Sequence, residues 1–288
     1  MGSKSEAGRR LVITADDFGA SVEVNEAVER AYLEGVLTAA SLMVAAPAAA
    51  DAVGRARRLE GLGVGLHLVL TDGVPLLPTA QVSHLVGEDG RFLRPMARAA
   101  LRMVCLSAAR AELRSEIEAQ FEAFEATDLT LDHVNSHKHF HLFPMIGREI
   151  VRIGARHGLR AVRAPLEPSA PVREIDPQAR CASLPERLLA RLSASRLRRA
   201  GLLAPDQVFG LAWTGAMVET RLTGLIERLR AGLTEIYLHP AAQAEFAGAV
   251  PGYRHAEELA ALLSPSVRRA VEASGAQLGS FSRFAEAA

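Results

Sequence analysis

"LVITADDFGAS" occupies residues 11–21 and sets the reading of the whole chain. Residues 11–15 are β-formers, and they end on two adjacent carboxylates, Asp16 and Asp17. Side by side at the end of a buried strand, the two repel each other and both lose hydration, unless a cation neutralises one of them. A helical pattern follows at 21–34, where Val24, Ala27, Val28, Ala31 and Tyr32 fall at i, i+3, i+4, i+7 and i+8. Glu23, Glu26, Glu29 and Arg30 take the opposite face, Ser21 is placed to cap the helix and Gly35 to stop it.

Outward from this unit, strand-like runs recur at 37–44, 62–69, 129–135, 159–163, 208–212, 234–239 and 277–281. Helical patterns lie between them at 108–126, 145–157, 217–231 and 256–274. Alternating strands and helices imply a parallel sheet with helical crossovers. Roughly eight units in about 250 residues predict a TIM-like (β/α) barrel with seven or eight parallel strands. Residues 72–107 and 165–205 break the rhythm and read as two excursions from the barrel rim. Residues 1–9 read as a flexible tail and 10–288 as one domain.

The 288 residues are 49% hydrophobic, with 33 basic and 33 acidic side chains. That balance gives no electrostatic footprint for nucleic acid, and aromatics at 5% argue against a base-stacking platform. Cys105 and Cys181 are far apart and read as reduced thiols. The first ten residues lack an apolar signal core, and no apolar run is long enough to span a bilayer. These features predict a soluble, cytoplasmic protein.

The polar residues fall at predicted strand ends. Asp16 and Asp17 end the first strand, His67 lies near the end of the third, and His137 follows the fourth. Arg163 closes the fifth and His239 the seventh. In β/α barrels that rim carries the active site. One Asp oxygen and two imidazoles around a divalent ion, with open positions for water, make a hydrolytic centre. The other Asp then serves as base, His239 as acid, and Arg163 keeps the base ionised. "HVNSHKHFH" at 133–141 holds four of the nine histidines. If the strand continued, His137, His139 and His141 would share one face.

"TADDFGAS", "GLHLVLTDG", "HVNSHKHFHLFP", "VRAP" and "YLHPA" together resemble the ordered motifs of the YdjC-like, or ChbG-like, carbohydrate deacetylases. "DQVFGLAWTGAM" resembles the hopanoid-biosynthesis-associated branch. The resemblance implies a β/α barrel that removes the acetyl group from an N-acetylglucosamine-type sugar, on a hopanoid glycolipid or an oligosaccharide. It implies Asp17, His67 and His137 as metal ligands, Asp16 as base and His239 as acid. It also implies a homodimer and one divalent ion, zinc or magnesium; imidazole ligands suit zinc, cobalt or nickel better. Asn135 departs from the family, which has an Asp two residues before the metal-binding His. The departure predicts a less polarised His137 and an ion more weakly held or different in kind. His139, His141 and Asn135 are candidates for substrate contact.

The excursion "LPERLLARLSASRLRRAGLL", 184–203, sets Arg187, Arg191, Arg196, Arg198 and Arg199 among leucines. A basic amphipathic helix can lie on an anionic membrane surface, here the inner face of the cell membrane. Two alternatives to a deacetylase are a phosphoesterase, which calls for more cations at the mouth, and a sugar- or lipid-binding barrel without turnover.

Overall fold

The computed structural model describes residues 8–94 and 96–286; residues 1–7 of the expected tail lie outside them. Seven parallel strands form one sheet: β1 (Arg9–Phe18), β2 (Ala39–Leu42), β3 (Gly63–Leu68), β4 (Val134–Ser136), β5 (Gln207–Phe209), β6 (Gly232–Leu238) and β7 (Gln277–Leu278). The ladder runs β4-β3-β2-β1-β6-β5. Helices such as Val22–Leu33, Ser107–Glu125 and Pro144–Gly154 connect the strands. Ser21 caps the first of these by accepting from Val24 N, as its position predicts.

The sheet is an open, curled half-barrel, which corrects the expected closed TIM-like barrel. No ladder joins β5 to β4 among the described residues. The expected stave at 159–163 makes only isolated bridges, Val134 to Val162 and Ala161 to Leu203. Pro165 and Pro168 follow it with no N–H to donate, so a ladder cannot extend there. The last expected strand does not close the curl either. Its two paired residues meet Arg10 and Leu11. β6 lies along β1 from Arg9 to Ala15, so β7 shares the opposite edge with β2. The expected helix 256–274 is two, His255–Leu263 and Pro265–Ser274, divided at Ser264 and Pro265. The rim excursions carry helices Met96–Cys105, Ser169–Ile175 and Leu184–Arg199.

Side chains alternate across the sheet. Leu11, Ile13, Ala40, Leu42, Val64, Leu66, Val134, Ile236 and Leu238 join the large outer core. Val12, Ala39 and Leu233 pack inside the curl against Ala161, Phe281 and Phe284. The short helix Phe281–Ala285 thereby plugs the N-terminal end of the curl. Above that plug the inward positions turn polar: Thr14, Ser41, His133, Arg163 and Glu235 are all fully buried. Such a layer persists only if its members satisfy one another.

Candidate active site

Inward alternation explains one carboxylate of the doublet and excludes the other. Asp16 follows Val12 and Thr14 into the curl, so Asp17 would point out toward the helices. Asp17 instead has φ +63°, and the β1–β2 register shifts between Ala15 and Phe18. Asp tolerates this left-handed conformation better than most residues. The bulge turns its carboxylate back to the mouth, where Oδ1 lies 3.4 Å from His67 Nε2 and 3.4 Å from His137 Nδ1.

Arg163 is the largest fully buried side chain in the layer below. Its Nη1 and Nη2 donate to Asp16 Oδ2 and Oδ1 at 2.5 and 2.9 Å. Its Nε and Nη2 donate to Glu235 Oε1 at 3.0 and 2.7 Å, and Thr14 Oγ1 donates to the same oxygen at 2.9 Å. Burial pushes the Asp16 carboxyl up, but the charge of Arg163 and its hydrogen bonds outweigh it and hold Asp16 far below the carboxylate range. Burial also pushes Asp17 up, and His137 outweighs it, so Asp17 is likewise ionised.

Asn135 is an inward residue of β4. Its Oδ1 lies 2.6 Å from His67 Nδ1, and its Nδ2 donates to Asp16 Oδ1 at 3.1 Å and to Ser41 Oγ at 2.8 Å. An amide oxygen only accepts, so His67 Nδ1 carries the hydrogen and Nε2 presents its lone pair to Asp17. Burial lowers the His67 pKa, which favours this neutral form. Asn135 therefore orients His67, and the effect expected on His137 falls on the other imidazole.

The remaining histidines separate. The strand stops at Ser136, and Lys138 and His139 both have φ +54°, so 137, 139 and 141 do not share one face. His139 Nε2 meets Tyr237 Oη at 3.0 Å, while its Nδ1 is buried with no partner. Burial and nearby Arg163 push its pKa well down. His141 Nε2 donates to the carbonyl of Arg163 at 2.9 Å, and its Nδ1 accepts from Ser136 Oγ at 2.7 Å. Burial, then Arg163, lower its pKa to about 3. Both its nitrogens are used, so it positions Arg163 and has none left for a ligand.

His239 follows β6. Its amide donates to Glu258 Oε2, and its carbonyl accepts from His255 Nδ1 at 2.6 Å. Its ring stands between Tyr237 and Tyr253, with centroids 5.7 and 5.3 Å away, and Nδ1 is buried with no partner. Burial raises the Tyr253 pKa to about 12, so that hydroxyl keeps its hydrogen at neutral pH.

Asp17, His67 and His137 form a three-residue cluster with one ligand atom from each within 4.8 Å of the others. Asp17 Oδ1 and His67 Nε2 are buried atoms without hydrogen-bond partners. Leaving such atoms unmatched is costly, and one divalent cation would satisfy both. A carboxylate and two imidazoles suit a borderline ion of the zinc kind.

The family model for YdjC-like proteins matches residues 10–273. The chain belongs to the YdjC-like family. A carbohydrate deacetylase of Geobacillus stearothermophilus is 32% identical over 279 residues, 96% of this chain and 98% of that protein. A human carbohydrate deacetylase is 31% identical over 243 residues, 80% of this chain and 74% of that one. The crystal structure of a candidate cellobiose-phosphate cleavage protein of Enterococcus faecalis V583 superposes with TM-score 0.76 at 23% identity, over 96% and 99% of the two chains. It shares the fold. The match reaches the family and does not single out the hopanoid-associated branch.

Four residues of this site escaped the motif reading. Ser41 is the one polar residue of the "AASL" strand, and Glu235 is a charge in the middle of "GLTEIYL". A buried polar residue in an apolar strand was the available signal. Tyr237 shares the inward row of Glu235, and Glu258 carried no signal beyond an ordinary helical acid.

Proposed function

We propose that this protein is a metal-dependent N-deacetylase acting on an N-acetylglucosamine-type sugar. The observation that carries the reading is the pair of unpartnered buried atoms, Asp17 Oδ1 and His67 Nε2, facing His137 at the rim beside an ionised Asp16. Bound by these three residues, a divalent cation would supply a Lewis acid for an acetyl carbonyl and lower the pKa of water. Asp16 takes a proton from the attacking water, and Arg163 keeps it ionised and oriented beforehand. His239 gives a proton to the departing amine from its unpartnered ring edge. His139 Nδ1, also without a partner, faces the acyl group or sugar. A cavity of about 450 Å³ runs from His139 and Lys138 past Glu167 to Arg187 and Leu189, and houses the rest of the acceptor.

A phosphoesterase would need free cations at the mouth. Beside the metal cluster, Lys138 and Arg94 are instead both paired with Asp72 and Arg163 is consumed by two carboxylates, while Arg180 and Arg187 line the acceptor cavity. Acetate release from an N-acetylglucosaminyl substrate tests the reading. The reading predicts that the protein will release acetate, that a chelator will abolish release and zinc restore it, and that Asp17→Ala will be inactive. Metal binding without acetate release would leave the sugar-binding alternative.

The finer part of the reading is that the sugar sits on a hopanoid glycolipid met at a membrane surface. Leu184, Leu188 and Leu192 recur at every fourth position of the helix Leu184–Arg199 and are 65%, 49% and 50% exposed. Arg191, Arg196 and Arg199 are exposed on the same helix, while Arg198 is tied to Asp206 at 2.9 Å and Arg187 lines the cavity. No described helix is long and apolar enough to cross a membrane, so contact would be peripheral. Replacing the three leucines with serine should abolish co-sedimentation with anionic liposomes; undiminished binding would refute the docking.

A further inference from the structure

Beneath the proposed base lies a second constellation. Ser41 Oγ is 3.0 Å from Asp16 Oδ1 and 3.0 Å from His133 Nε2. His133 Nδ1 is 2.9 Å from Asp132 Oδ2. Asp132 also accepts from the amides of Phe281 and Ser282, at 3.3 and 2.7 Å. Burial pushes its carboxyl up, but the hydrogen bonds from His133 and from the Ser282 amide outweigh burial and keep it ionised. All four side chains are buried.

Space for the pair is built into β3. A Cβ on Gly65 would lie 2.5 Å from the His133 ring, and one on Gly63 would lie 2.6 Å from Asp132 Cγ. Any larger residue at either inward position would expel its neighbour.

Counting hydrogens shows what this line can do. An ionised carboxylate only accepts, so His133 Nδ1 carries hydrogen toward Asp132. Ser41 Oγ already accepts from Asn135, and its single hydrogen has two acceptors at equal distance. We propose that Ser41, His133 and Asp132 form a buried proton relay that clears the proton from Asp16 during hydrolysis. The proposal rests on the deacetylase reading.

When Asp16 has taken a proton from water, its O–H bond breaks toward Ser41 Oγ while the Ser41 O–H bond breaks toward His133 Nε2. A new O–H forms on Ser41 and a new N–H on His133. Asp16 returns to a carboxylate, and His133 becomes an imidazolium whose charge is matched by Asp132. Atoms and charge balance with no other reactant, and once the products leave, the proton returns by the same path through Ser41 and Asp16 to water at the mouth, which resets the relay. Asp132 borders a cavity of about 280 Å³ with Gly63, Thr130, Ser280 and Ser282, at the end of the curl opposite the mouth. Ser41 and His133 act through Asp16 and are positioning residues.

Ser41→Ala and Gly65→Ala test the relay in the full chain loaded with zinc. Ser41→Ala should lower kcat about 100-fold, with KM within about twofold and unchanged zinc content. The wild type should give a curved proton inventory in mixed light and heavy water, from two hydrogens in flight, and Ser41→Ala a linear one. Gly65→Ala should reproduce the kcat loss without removing a polar group. Independently of turnover, ¹⁵N NMR of metal-free protein should show His133 Nε2 losing its hydrogen bond in Ser41→Ala. Full kcat in Ser41→Ala, an unmoved Nε2 resonance, or a kcat loss accompanied by lost zinc would each overturn the relay and leave the deacetylase reading standing. A zinc-loaded wild type that releases no acetate would overturn both, since the relay would have no proton to carry.

Discussion

Replacing Arg163 with Met tests the polar layer most severely. Arg163 is fully buried and is the cation held between the equally inaccessible Asp16 and Glu235. A methionine fills much of the volume and leaves two buried carboxylates without a counter-charge. Breaking a buried pair costs about 3–5 kcal/mol. Neutralising a carboxylate of ordinary pKa near 4 at pH 7 gives a matching figure, three units at 1.36 kcal/mol each, or about 4 kcal/mol. With Asp16 neutralised, the loss is about 4 kcal/mol, a large share of the whole stability of many domains. The sign with pH follows. In the variant the Asp16 carboxyl has lost its counter-charge and keeps its burial, so its folded pKa lies above its unfolded one, the folded form holds more protons and stability falls as pH rises above about 4. Urea unfolding followed by circular dichroism at pH 5, 6 and 7 should show Arg163→Met least stable at pH 7, with up to about 3 kcal/mol recovered at pH 5. Adding Glu235→Gln should restore part of the loss at pH 7. A variant within about 1 kcal/mol of the wild type at pH 7, or one indifferent to pH, would refute the ion-paired layer.

Asn135→Asp would exchange Nδ2, 3.1 Å from Asp16 Oδ1, for an oxygen, and give His67 a carboxylate partner. Metal-free stability should fall by about 1–3 kcal/mol while zinc affinity rises about tenfold; thermal melts and calorimetric titration check the two signs, and weaker zinc binding would contradict the assignment of Asn135 to His67. Asp132 has a folded pKa lowered below 3.8, so its contribution to stability is complete above about pH 4 and lost as pH falls below it. Asp132→Asn should therefore be less stable at pH 7 and show a shallower acid limb between about pH 4 and 2; superimposable acid titrations would rule this out.

Much of the inner face can be read from every second residue. Thr14 and Asp16, Ala39 and Ser41, Gly63, Gly65 and His67, His133 and Asn135, and Leu233, Glu235, Tyr237 and His239 each form one inward row. A strand period of two is a local property, so the sequence discloses it. Asp17 leaves its row through a left-handed residue, and nothing in "ADDFG" announces which aspartate does so. The same holds for Lys138 and His139, whose turn scatters the histidines that an extended strand would align. Closure of the sheet is a different matter. The run 159–163 has strand composition, but a ladder needs a partner in register, and that depends on residues far along the chain. Asn135 was legible as a departure from the family motif, whereas its partner, His67 rather than His137, depends on the pairing of His67 with Asn135 across β3 and β4.

The proposed hydrolysis depends on one cation between Asp17, His67 and His137. Anomalous diffraction at the zinc edge from zinc-soaked crystals addresses that directly. The expected result is one strong peak within bonding distance of Asp17 Oδ1, His67 Nε2 and His137, absent from Asp17→Ala crystals. A peak elsewhere, or none at these three residues, would contradict it.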